Sequence, residues 1–189
     1  MQIFTLVTGV IYIVLEIRQK NSMWIVGILT SLAAMWVFFR QGLYASFALN
    51  GYYLVTAFIG LWQWRRYRDR LPASDGQEGA IHLNRISVKV VLASALVAVA
   101  GVFAVAELMK VFENPMSYMD AAVTVLSAIA TWWLVRSYLE QWLLWIVADI
   151  LLTLMCAMQG MWWMTALYAA YTLAAVYGYM HWKRHGCMI

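Results

Sequence analysis

Residues 136–146 read RSYLEQWLLWI, and residues 18–28 read RQKNSMWIVGI. A shift of 118 positions carries Arg18 onto Arg136, Trp24 onto Trp142 and Ile28 onto Ile146. Continued without a gap, it carries Gln41-Gly42 onto Gln159-Gly160, Leu49 onto Leu167 and Tyr53 onto Tyr171. It then brings Gly60 onto Gly178, Trp64 onto Trp182 and Arg66 onto Arg184. Identities in one register and one order are the trace of an internal duplication.

What is duplicated follows from composition. The chain has 189 residues, 65% of them hydrophobic and 12% charged, with a mean hydropathy of +0.72. Soluble domains are nearer half apolar and a quarter charged. Stretches close to twenty residues with few charges recur throughout, as a hydrocarbon core of about 30 Å requires of a helix rising 1.5 Å per residue. Seven spans are expected, at about 2–17, 23–39, 43–64, 87–111, 117–135, 141–158 and 161–182. The N-terminal segment lacks a basic n-region and a small-residue cleavage site, so it reads as a retained first span. Both prolines, Pro72 and Pro115, fall in connections, and no span needs a kink.

Each repeat holds three spans, and an odd number joined directly would invert the second copy. The additional span 87–111 restores the orientation. The fold class is therefore all-α integral membrane, in a 3 + 1 + 3 plan of parallel repeats. Its parts are a first three-helix repeat over 1–66, a linker and fourth helix over 67–114, and a second repeat over 115–189. Parallel repeats related by an axis along the membrane normal are a transporter arrangement, with substrate held between them near the midplane.

Basic residues orient the chain. With the N-terminus outside, inner loops and tail hold Arg18, Lys20, Arg65, Arg66, Arg68, Arg70, Arg85, Lys89, Arg136, Lys183 and Arg184. The outer side keeps only Arg40 and Lys110, so N-out, C-in is expected. The net charge of +4 is mostly this signal. The cluster RRYRDR (65–70) reads as a juxtamembrane anchor on the lipid bilayer, not as a nucleic-acid patch. The stretch 68–85 is polar, carries Pro and Gly, and is the one real linker.

Polar residues inside spans mark the chemistry. Trp142, Trp145 and Asp149 are spaced i, i+3, i+7 and share one helical face. Two indoles with an anion one turn deeper make a clamp for a flat cationic ring. Against this, tryptophans near a span end can belong to an interfacial belt, and an aspartate can pair with a basic side chain. Asp149 lies roughly 12 Å along its helix, too deep for an interface, and an ionisable residue there is a functional candidate by default. A second stripe on the fifth span, Asp120, Thr124, Ser127 and Thr131, falls at offsets 0, 4, 7 and 11. Serines and threonines of such a stripe also bond their own helix carbonyls. The third span adds Asn50, Tyr53 and Ala57, and the seventh adds Tyr168 and Tyr171. Trp64 and Trp182 read as interface anchors. The repeat counterparts of Trp145 and Asp149 are Gly27 and Ser31, so one half presents bulk and charge and the other presents space.

Other chemistries find no footing. C-x-x-C, G-x-S-x-G and Walker sequences are missing, and the histidines, His82, His181 and His185, lie in the linker and at the inner end of the last span, so neither metal, cofactor nor catalytic constellation is expected. Cys156 and Cys187 form no pair motif. The small-residue run ASALVAVAG (93–101) suits packing against neighbouring helices or a second protomer.

The motifs D-x-x-x-x-V-L-S-x-x-A (120–130), R-x-Y-x-E-x-W-L-L-W-I (136–146), E-x-W-x-x-W-x-x-x-D (140–149) and Q-G (159–160) resemble those of the Pnu-type vitamin transporters. The resemblance covers nearly the whole chain. It implies a bacterial inner-membrane protein, similar in plan to SWEET sugar transporters but without their Pro-Gln signature. It also implies facilitated diffusion of an unphosphorylated, cationic B-vitamin that a cytosolic vitamin kinase then traps. Trp142, Trp145 and Asp149 become substrate contacts, completed by the fifth-span stripe. Nicotinamide riboside carriers of this family typically have Asn at the place of Asp149, which turns the expectation to thiamine, with nicotinamide riboside as the alternative. A proton- or ion-coupled carrier using Asp149 or Asp120 is the rival in mechanism.

Overall fold

The computed structural model of the chain describes residues 2–40, 44–68, 81–110 and 117–188. Gln41-Gly42, Pro72, Pro115 and the linker stretch 69–80 lie outside the described residues. The helices are α1 (Gln2–Ile17), α2 (Ser22–Arg40), α3 (Tyr44–Arg68), α4 (Val88–Lys110), α5 (Ser117–Val135), α6 (Gln141–Met158) and α7 (Trp162–His185). They coincide with the seven expected spans to within a few residues. Two three-residue strands, β1 (Ile81–Leu83) and β2 (Gly186–Met188), pair in parallel. Of the helices, α2, α4, α5 and α6 are each long and apolar enough to cross a bilayer by length and composition. The chain is an all-helical, multi-pass membrane protein.

Packing runs α1 on α2 and α7, α2 on α3, α3 on α5, α4 on α5, α5 on α6, and α6 on α7. α4 lies outermost, its Leu92, Leu96, Val99 and Phe103 exposed as lipid-facing side chains are. Its small residues do meet a neighbour: a Cβ on Gly101 would lie 3.2 Å from Val125 Cγ1, and Ser94 Oγ accepts from Trp133 Nε1 at 3.1 Å.

The turns after α1 and α5 are alike. Gln19 N–H donates to the Glu16 carbonyl and Lys20 N–H to that of Leu15; Ser137 donates to Leu134 and Tyr138 to Trp133 in the same pattern. This is a Schellman cap, whose penultimate residue must enter the left-handed region. Gln19 does so at φ 47° and Ser137 at φ 56°, positions 118 apart. Neither is glycine, so both carry a steric cost of about 1–2 kcal/mol. Ser137 is buried and its hydroxyl has no hydrogen-bond partner among the described residues. Ser137→Gly is therefore expected to stabilise the fold by about 1 kcal/mol, read as a higher melting temperature in detergent. A lower one would mean that the hydroxymethyl group fills space the turn needs.

Trp64 and Trp182, expected at the interface, are instead core residues, 2% and 0% exposed. Trp24 meets Trp64 edge-on at 5.1 Å, Trp142 meets Trp182 edge-on at 5.4 Å, and Trp64 and Trp182 lie 6.4 Å apart. The cause is the glycine opposite each inner ring. A Cβ on Gly60 would fall 2.5 Å from the Trp24 ring, and one on Gly178 the same distance from that of Trp142. Without a side chain at those positions an indole seats directly on the helix backbone. Cation–π pairs near the helix ends fall instead on other tryptophans, Arg136 over Trp132 and Arg66 over Trp62, at 5.1 and 5.5 Å.

The expected linker has a structured end. Ile81 and Leu83 are buried against the tryptophan cluster, and His82, assigned to a solvated linker, is buried too. A three-residue strand has too little length for periodicity to announce it.

Candidate functional site

A cavity of about 310 Å³ lies between α1, α2, α6 and α7, within the roughly 300–1,000 Å³ typical of small-molecule sites. Its α6 wall is Trp142, Trp145 and Asp149, the three residues the helical spacing places on one face. Trp142 forms the end nearest the tryptophan cluster. Asp149, 8% exposed, sits midway along the helix. Its backbone carbonyl accepts from Thr153 at 2.7 Å, while its carboxylate makes no hydrogen bond or ion pair among the described residues. The indole N–H groups of Trp142 and Trp145 have no acceptor there either.

The opposite wall comes from α1: Gly9, Tyr12, Ile13 and Glu16. Glu16 is 4% exposed and accepts from Gln141 Nε2 at 3.3 Å, a contact between α1 and α6. Sequence reasoning did not single it out, because a glutamate one residue from a span end reads as interfacial. The available signal was spacing: 9, 12, 13 and 16 fall at i, i+3, i+4 and i+7, one stripe of a helix. Thr30 and Val26 of α2 and Tyr171 and Ala175 of α7 close the remaining sides. Tyr171 comes so near Gly9 that a Cβ on that glycine would collide with its hydroxyl, so glycine lets α1 and α7 approach.

Four of the expected site residues thus share the cavity: Trp142, Trp145, Asp149 and Tyr171. Tyr168 packs edge-on against Tyr171 at 6.2 Å, just behind the wall. The fifth-span stripe does not join them. Thr131 Oγ1 donates to the Ser127 carbonyl at 2.8 Å, both residues being buried, and Thr124 lines a separate apolar crevice between α3, α4 and α5. The physical reason is that α5 packs on α3, α4 and α6, while the cavity's first-half wall is α1. Asp120 begins α5 in its first turn, and Asn50 and Tyr53 lie on α3, which contributes nothing to the cavity lining. Tyr52, adjacent to Tyr53, ties α3 to α5 by donating to the Ala128 carbonyl at 2.6 Å. The space expected at Gly27 is taken by Tyr12, whose Cε2 would lie 3.5 Å from a Cβ there.

Chemically, two carboxylates and two indoles face one low-dielectric space, and every lining residue is either neutral or acidic. Burying carboxylates without cationic partners is costly. Such a site favours a ligand that brings positive charge and a flat ring.

The "Nicotinamide riboside transporter PnuC" of Neisseria mucosa is 26% identical over 192 residues, covering 95% of this chain and 72% of the relative. The protein of the same name from Haemophilus influenzae is 25% identical over 179 residues, covering 94% and 76%. A crystal structure described as that of the vitamin B3 transporter PnuC superposes with a TM-score of 0.69 at 25% identity, covering 96% of this chain and 81% of that one. The family model described as nicotinamide mononucleotide transporter matches residues 1–184. On that match over nearly its full length, the chain belongs to the nicotinamide mononucleotide transporter family, whose members are membrane transporters and not enzymes.

Proposed function

We propose that the chain is a facilitated-diffusion carrier for nicotinamide riboside. The observation that carries this reading is the cavity itself, which sets Trp142 and Trp145 beside two acidic groups, Asp149 and Glu16. The nicotinamide ring of the riboside is a flat permanent cation, and its ribose offers hydroxyls to the indole N–H groups and to Tyr171. The mononucleotide adds a phosphate, for which a wall of carboxylates without Lys or Arg is unsuited. Thiamine, expected from Asp149 standing where riboside carriers typically have Asn, is also a flat cation, so the cavity's charge does not favour it. The relatives named above are riboside transporters, and their names tip the reading to the alternative.

The rest of the plan belongs to the same proposal. The matching turns at Gln19 and Ser137, and the matching Trp24–Gly60 and Trp142–Gly178 contacts, support two parallel three-helix units joined by α4. The bias of basic residues supports an outside N-terminus and a cytoplasmic end at the α1–α2 and α5–α6 turns. Transport proceeds by rocking one unit against the other, and a cytosolic kinase traps the product by phosphorylation.

Proteoliposomes holding the purified chain should take up labelled nicotinamide riboside without ATP or an ion gradient, insensitive to a protonophore. Nicotinamide mononucleotide and thiamine should compete poorly. Thiamine competing better than the riboside itself would return the substrate to the thiamine branch. Uptake that collapses with the protonophore would favour a proton-coupled carrier.

A further inference from the structure

The end of the bundle below the cavity is fastened by one short segment. Gln19, in the turn after α1, clasps His82 through both halves of its amide: Nε2 donates to the His82 carbonyl at 2.9 Å, and the His82 N–H donates to Oε1 at 2.6 Å. Two residues on, Asn84 grips the equivalent turn after α5. Its N–H donates to the Ser137 carbonyl at 3.1 Å and its Nδ2 to that of Arg136 at 2.7 Å. Between these clasps, β1 pairs with β2, the continuation of α7, in the register Ile81–Gly186, His82–Cys187 and Leu83–Met188. Ile81 and Leu83, 2% and 3% exposed, press into the cluster of Trp24, Trp64, Trp142 and Trp182.

The clasps fall on the two units of the proposed plan. Gln19 belongs to the first three-helix unit; Ser137, Arg136 and the α7 tail belong to the second. The αL conformations at Gln19 and Ser137 turn the two caps toward the same strand from pseudo-equivalent positions. Immediately above, Trp182 Nε1 donates to the Ile17 carbonyl at 2.9 Å, a further bond from the second unit to the first. Trp142 is both part of this floor and part of the cavity wall.

We propose that the segment Ile81–Asn84 is a latch on the floor of the cavity: it ties the turn of one unit to the turn and tail of the other, and the cavity opens on that side only when it lets go. The inference rests on the two-unit reading above but not on the identity of the substrate. Rocking the units apart at this end lengthens the Gln19–His82 and Asn84–Arg136 bonds first, since the strand has clasps on both sides. Hydrogen bonds to the backbone contribute about 0.5–1.5 kcal/mol each. Removing the Gln19 pair should therefore shift the balance from closed to open by about fivefold to a hundredfold.

The test uses the full chain in liposomes, with both native cysteines replaced by serine and a reporter cysteine placed in the cavity by Thr30→Cys. A membrane-impermeant maleimide is applied from the face that carries the strand. Gln19→Ala is expected to raise the labelling rate at least about fivefold, and Asn84→Ala, a milder change at an exposed bond, is expected to raise it less. A second readout is the distance between spin labels at Lys20→Cys and Lys183→Cys, one on each unit, which should gain a longer population in the same variants. Neither readout needs a substrate, so an error in the riboside assignment would leave both intact. Unchanged labelling together with unchanged distances in both variants overturns the latch.

Discussion

Asp149→Ala is expected to weaken nicotinamide riboside binding by about 30-fold to several thousand-fold in a calorimetric titration. The range corresponds to the roughly 2–5 kcal/mol lost when one partner of a desolvated charge pair is truncated. Asp149 qualifies because it is nearly buried, lies midway along α6, and has a carboxylate with no hydrogen bond or ion pair among the described residues. In the proposed function, a cationic ring arriving between Trp145 and α1 becomes its partner. The effect should depend on charge: the reduced riboside, whose ring is neutral, should lose little affinity from the same substitution. Asp149→Asn should fall between, since the amide keeps the volume and a hydrogen-bonding oxygen but not the charge. Glu16→Gln should cost less than Asp149→Ala, because Glu16 already holds a hydrogen bond from Gln141. Equal losses for the charged and neutral ring would mean that Asp149 props the helix and does not read the cation.

The sequence could announce Asp149 because depth in an apolar run is a one-dimensional property. The seven helices of the described residues were legible for the same reason, as was the shared face of Trp142, Trp145 and Asp149. Glu16 has the same spacing signature on α1, yet hydropathy placed it at a boundary. It is buried against α6, where Gln141, 125 residues away, donates to its carboxylate. The stripe of Thr124, Ser127 and Thr131 is a different case. Its periodicity is real, but periodicity says that a face exists and not what lies opposite, and none of the three lines this cavity. Trp64 and Trp182 read as interface anchors because aromatic residues near span ends usually are. Their burial depends on the rings of Trp24 and Trp142, near them only in space, which seat on the glycines four residues before each, Gly60 and Gly178.

Those glycines support the second large prediction. Gly178→Ala is expected to lower nicotinamide riboside affinity about tenfold or more, and to lower thermal stability by about 1–3 kcal/mol, the usual cost of overpacking. The new Cβ would sit 2.5 Å from the Trp142 ring, which is 1% exposed and already backed edge-on by Trp182. The indole has one direction left, toward the cavity it lines. Gly60→Ala makes the same collision, 2.5 Å from the Trp24 ring, but Trp24 lines no part of that cavity. It should lower the melting temperature comparably and leave affinity within about twofold, roughly 0.4 kcal/mol. The pair therefore separates packing from recognition with chemically identical substitutions in the two halves of the chain. Similar affinity losses in both would mean that the four tryptophans move as one body, so that a strain placed on Trp24 reaches Trp142 through Trp64 and Trp182. Loss confined to Gly178→Ala would mean that each half holds its own tryptophan, and that substrate reads only one of them.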